Sequence, residues 1–139
     1  MRQEWSSACS GPKKTTYTWG NEKPKRMKNG KVIKQVCNFD KYFRVVDEEK
    51  VFRRDPEELK RLDQSEPSGH RKNCKSVYGA FDMNGNVEEW VKVSDKKMCL
   101  AGGHSSRLKS CRSMLCGHDP RWHYYSTGFR CCKDASGSD

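Results

Sequence analysis

Asp82, Asn86, Glu88 and Glu89 set side-chain oxygens around the turn Asn84-Gly85-Asn86, inside the run YGAFDMNGNVEEW from Tyr78 to Trp90. Glycine, and asparagine more readily than most residues, can take the left-handed backbone conformation that such a reversal needs. Phe81 and Met83 before the turn and Val87 and Trp90 after it can pin both ends to a core. Carboxylates, amide oxygens and backbone carbonyls are what a hard cation such as calcium takes. The spacing is not that of the helix-loop-helix calcium loop, so residue chemistry alone favours a capped turn with a solvated acidic face and keeps calcium as an alternative. A second donor set is His104, His118 and His123 among Cys111, Cys116 and Asp119. Nitrogen and sulfur suit zinc or copper, but the spacing fits no standard finger, and exposed loop imidazoles are the preferred reading.

The elements that must position these groups are legible in patches. Asp55 before Pro56, acids at Glu57 and Glu58 and bases at Lys60 and Arg61 predict a short helix over 56–62, with a capping oxygen, a preset first φ and charges that match the helix dipole. Lysine- and glycine-rich residues 11–34 read as a surface excursion, with a short hairpin between Met27 and Val36 around Asn29-Gly30. Residues 42–52 mix β-branched, aromatic and charged side chains and read as one strand or as irregular chain. Residues 65–74 are polar loop. From Val77 onward, short apolar runs between Gly and Asn turns predict brief strands.

The chain has 139 residues, a length that suits one domain over 1–139, but only 33% are hydrophobic and 33% are charged. That balance predicts a thin core, and crosslinks or ions must compensate. Eight cysteines are available for this, and in a chain with so few aliphatic side chains they suit an oxidising compartment. No apolar leader is visible between Met1 and Cys9, and no apolar run is long enough to span a bilayer. The compartment therefore stays open. The net charge of +10 raises nonspecific affinity for anionic surfaces. Nucleic acid is nevertheless disfavoured as a partner, because the bases from Lys23 to Lys34 lack interleaved aromatics and no nucleic-acid motif appears.

The run from Tyr78 to Trp90 resembles the DMxGNxxEW signature of the formylglycine-generating enzyme, or sulfatase-modifying factor, family. Further stretches agree with that family in the same order: Glu4-Trp5 with Ala8-Cys9, Tyr17 to Glu22 with Thr18 at a usual proline, Cys37-Asn38, Gly102-Gly103, Cys111-Arg112, and Gly128 to Cys131. The resemblance implies an α+β fold, sparse, irregular and C-type-lectin-like, with short strands and long ordered loops. It places Met1 inside a helix that lies well along the family's domain, so an N-terminally truncated portion is expected. It also implies structural calcium, with Asn86, Val87 and Glu89 serving one ion. Asn38 and Phe39 would serve another, together with an aspartate from among Asp47, Asp55 and Asp63.

For activity the resemblance offers two readings. The family's enzymes oxidise a cysteine of a sulfatase-like protein or peptide substrate to formylglycine, using dioxygen and copper(I) held by two thiolates spaced as Cys111 and Cys116 are. Those two residues are the candidate catalytic and copper-binding pair. Cys111-Arg112 also resembles a motif of bacterial relatives in which only the second cysteine of that pair is present. Such relatives end like Gly128 to Cys132 here, which implies a structural disulfide from Cys111 to Cys131 or Cys132. Iron-dependent sulfoxide synthesis is disfavoured, since the HxxxHxE iron motif of those enzymes is absent. The alternative to catalysis is a ligand- or receptor-binding module on the same fold. Arg107, Arg112, Arg121, Trp122, His123, Tyr124 and Tyr125 include the residue types common at binding hot spots and would supply its contact surface, with Trp122 and Tyr125 equally readable as core.

Overall fold

The computed structural model describes residues 2–24, 35–39, 45–104 and 107–131. It is an α+β fold with few helices. Helix α1 (Arg2–Ser10) is followed after a long loop by α2 (Glu48–Phe52) and α3 (Pro56–Leu62). The strands come last: β1 (Glu88–Ser94), β2 (Lys97–Ala101), and the two-residue strands β3 (Gly103–His104), β4 (Arg107–Leu108), β5 (Met114–Leu115) and β6 (Thr127–Gly128). One sheet runs β5-β2-β1-β6, while β3 and β4 pair with each other.

Strands β1 and β2 form the central hairpin, with Glu89 opposite Ala101 and Val91 opposite Cys99. β6 joins β1 in parallel at Glu88↔Thr127, and β5 joins β2 antiparallel at Leu100↔Leu115. Side chains of a strand alternate between faces, so the neighbouring acids Glu88 and Glu89 leave β1 on opposite sides of the sheet. α1 covers the Glu89 side. Its Trp5 and Cys9, one helical turn apart and therefore on one face, are buried beside Met83, Val91, Ala101 and Cys111.

Helix α3 starts as expected: the Asp55 carboxylate accepts a 2.9 Å hydrogen bond from the Glu58 amide, which satisfies one of the donors a helix start leaves open. Residues 48–52 correct the expectation of a strand or irregular chain. They form α2, capped by Asp47, whose side chain accepts from the Lys50 amide. The hairpin expected between Met27 and Val36 falls mostly outside the described residues.

The core is thin. Thirteen hydrophobic residues are buried among those described, and five of these are cysteines: Cys9, Cys37, Cys74, Cys99 and Cys111. Bridges Cys9–Cys111, Cys37–Cys74 and Cys99–Cys116 tie α1, the loops and the hairpin together. This corrects the expected partner of Cys111. Its sulfur meets Cys9 because α1 is packed on the sheet beside it, whereas Cys131 is exposed and unbridged and Cys132 lies outside the described residues.

Candidate functional site

Asn84 sits where the bridges converge. It is fully buried, and its Oδ1 accepts from the Thr18 amide at 2.8 Å while its Nδ2 donates to the Lys109 carbonyl at 2.7 Å. The sulfurs of Cys9 and Cys111 each lie 3.7 Å from that same Oδ1. Gly85 next to it has φ +81°, and a Cβ there would drive into the Asn38 carbonyl oxygen. Only glycine permits this approach of the two loops, which the Asn86 amide closes by donating to the Asn38 carbonyl at 2.8 Å.

The candidate oxygen ligands divide into two places. Asn38, Phe39 and Asn86 come together. Asn86 Oδ1 accepts from Asn38 Nδ2 at 2.9 Å and from the Glu66 amide at 2.8 Å, and the Phe39 carbonyl accepts from Gln35 Nε2 at 2.9 Å. Asn38 Oδ1 is buried and has no hydrogen-bond partner among the described residues. Glu89 is engaged elsewhere: Arg130 grips both its oxygens at 2.6 and 3.0 Å, and the Trp5 indole N–H donates to it at 2.8 Å. The Val87 carbonyl faces Gly102. Among the described residues, no three of His, Cys, Asp and Glu cluster as a metal set would.

Cys111 and Cys116, separated by four residues in the sequence, belong to different bridges. Cys111 is inaccessible, joined to Cys9, while Cys116 is exposed and joined to the buried Cys99. Copper(I) ligation by this pair requires both bridges to be open, since a disulfide sulfur is not a thiolate.

On the Glu88 side of the sheet lies a cleft of about 400 Å³, walled by α2, β1, the β3–β4 hairpin and residues 115–126. One wall is a ladder of rings. His118 stacks on Trp122 with centroids 4.1 Å apart, Trp122 on Tyr124 at 5.3 Å, and Tyr124 leans on Tyr125 at 4.5 Å. The Tyr125 ring then meets His104 edge-on at 6.4 Å. The Tyr124 hydroxyl donates to both Glu48 oxygens at 2.8 Å. Glu88, buried at the floor, is paired with Lys109 at 2.6 Å, and Arg107 stands at the exposed rim.

This field moves the cleft's titrations. Burial pushes the His104 imidazole below its ordinary range, a shift that Glu88 opposes and Arg107 and Lys109 reinforce. Burial raises the Tyr124 phenol, and the hydrogen bond to Glu48 raises it further. Tyr125 is raised by burial and then by Glu48. Both phenols therefore stay protonated across the physiological range. His104 is buried, which corrects the reading of it as an exposed imidazole; His118 is half-buried under Trp122, and His123 is exposed as expected.

Of the residues that sequence reasoning offered as contacts, the fold brings Arg107, Trp122, Tyr124 and Tyr125 to the cleft, while Arg112, Arg121 and His123 do not line it. Sequence reasoning missed Glu48. No local signal marks that residue, because it enters from α2, far away in sequence. Glu88 stood among the oxygens expected around the Asn-Gly-Asn turn, and the structure engages it with Lys109 at the cleft floor.

A small α+β domain of short strands, with an Asn-Gly-Asn turn wedged between cystines, is the class these features define. The chain belongs to the sulfatase-modifying factor enzyme 1-like domain family, whose model matches residues 1–135. That coverage corrects the expectation of an N-terminally truncated portion, because the match begins at the first residue and takes in nearly the whole chain. No curated protein matches the chain.

Proposed function

We propose that this family member is a non-catalytic binding module on a C-type-lectin-like frame, with the aromatic cleft beside Glu88 as its ligand site. The observation that carries the reading is the separate bridging of Cys111 to Cys9 and Cys116 to Cys99, which commits both candidate copper ligands to holding the frame. The cleft supports it independently, with a size and a mixed aromatic and polar lining typical of small-molecule sites. Alkylation of the native protein without reductant, followed by peptide mass analysis, tests the point. No label is expected on Cys111 or Cys116, and a labelled pair would return the chain to the copper-oxidase reading. One observation favours that second reading: Cys116 is exposed, so a reductant can reach its bridge.

Calcium belongs to the proposal as a brace for the loops. Asn38 Oδ1, buried and unpartnered among the described residues, has the free lone pairs a hard cation takes, and the Phe39 carbonyl has one more to offer. A buried amide oxygen left bare costs on the order of 1–3 kcal/mol, which an ion or a water would relieve. Added calcium should raise the Tm of the wild type and leave Asn38→Ala unmoved. An equal rise in both, or none in the wild type, would remove calcium from the account. Glu89 is not part of this brace, since Arg130 already supplies its positive partner.

A further inference from the structure

Charge bookkeeping in the cleft narrows what it can hold, and this step rests on the binding reading above. The protein is strongly basic, at +10, yet the cleft does not follow that sign. Glu48 lies on one wall, where its carboxylate accepts from the Tyr124 hydroxyl. Glu88 on the floor is paired with Lys109, and burial of His104 favours its neutral form. Among the described residues, what remains to face a ligand is one carboxylate, Glu48, and one guanidinium, Arg107, with Val46, Leu115 and Trp122 supplying apolar lining.

A simple anion would gain from Arg107 and be repelled by Glu48, and a simple cation would meet the reverse. A wholly apolar ligand would strip water from both charges and return nothing to either. We infer that the cleft binds a small zwitterion of the amino-acid type, its ammonium on Glu48, its carboxylate on Arg107 and a planar apolar body against the His118–Trp122 stack. Each charged end then exchanges hydration for a charge-assisted hydrogen bond. The apolar body adds ring contact, favourable beyond its buried area.

The probes are L-tryptophan, tryptamine and indole-3-propionate, titrated by calorimetry and by NMR of the aromatic side chains. Tryptophan should bind, and removing either of its charges should weaken binding roughly tenfold, the scale of one charge-assisted hydrogen bond. Because the ligand is altered and the protein is not, this arm is immune to misfolding. In the protein, Glu48→Gln should erase the advantage of tryptophan over indole-3-propionate and leave indole-3-propionate itself unweakened. Arg107→Gln should do the same for tryptamine. Equal affinity for all three compounds, or no binding of tryptophan while other members of a fragment library shift the Trp122 and Tyr124 resonances, overturns the zwitterion and leaves the binding reading standing. Silence of those resonances to the whole library overturns both.

Discussion

Two adjacent glutamates on β1 show how a single peptide unit divides the molecule's work. Glu88 turns to the aromatic cleft and pairs with Lys109; Glu89 turns to α1, where Arg130 and the Trp5 indole consume its oxygens. The Glu89 pair is nearly enclosed on the acid side, with its side chain 5% exposed, while Arg130 remains 27% exposed. Truncating one member of such a pair strands the other's charge, and water at the Arg130 edge softens the cost. Glu89→Gln keeps the acceptor for Trp5 and removes the countercharge for Arg130. We expect it to lower unfolding free energy by about 2–3 kcal/mol, read as a lower urea midpoint at unchanged slope. The deficit should be the same with and without a calcium chelator, because the loss is of an ion pair. A deficit that vanishes once calcium is chelated would show that Glu89 grips the ion after all.

Elements were legible in the sequence where the cause of the element is local. Asp55, Pro56 and the flanking charges specify the start and the polarity of α3 within one turn, and the helix forms there. α2 carries similar charges, but Val51 and Phe52 sit among the aromatic and β-branched residues of 42–52 and obscured it. Tertiary placement decides that helix: Val51 is buried, Phe52 is 88% exposed, and the Glu48 carboxylate reaches Tyr124 across the cleft. The same limit applies to the site. Asn84-Gly85-Asn86 announced a held turn, and the rings from Trp122 to Tyr125 announced a contact surface, because each set is contiguous in the chain. That Glu48 completes the cleft depends on contacts across more than seventy residues, and that Cys9 claims Cys111 depends on contacts across about a hundred. Cysteine spacing alone leaves connectivity undetermined, and the resemblance to relatives that end as Gly128 to Cys132 does points to Cys131 or Cys132 instead of Cys9.

At the scale of the whole molecule, sulfur does work that aliphatic packing does elsewhere. α1 reaches the sheet through few apolar contacts, and Cys9–Cys111 fastens it across a sequence separation of 102, against 17 for Cys99–Cys116. A crosslink stabilises chiefly by restricting the unfolded chain, and the effect grows with the logarithm of the loop it closes. The long loop is shortened by the Cys37–Cys74 link it encloses, so its advantage over the short one is modest: about 4 kcal/mol against about 3. Burial sharpens the difference. Both members of the first pair are buried, whereas in the second only Cys99 is and Cys116 is exposed, so replacing the first pair by alanine leaves the larger gap in the core. Since small domains are stable by only about 5–15 kcal/mol in total, the double variant Cys9→Ala/Cys111→Ala should be mostly unfolded or nearly so at 37 °C, by circular dichroism and amide exchange. Cys99→Ala/Cys116→Ala should remain folded with a lowered Tm, its loosened β5 edge and His118 exchanging faster than α1. Equal destabilisation of the two variants, or a Cys9→Ala/Cys111→Ala protein as stable as the wild type, would mean that α1 is held by the thin apolar core and not by its bridge.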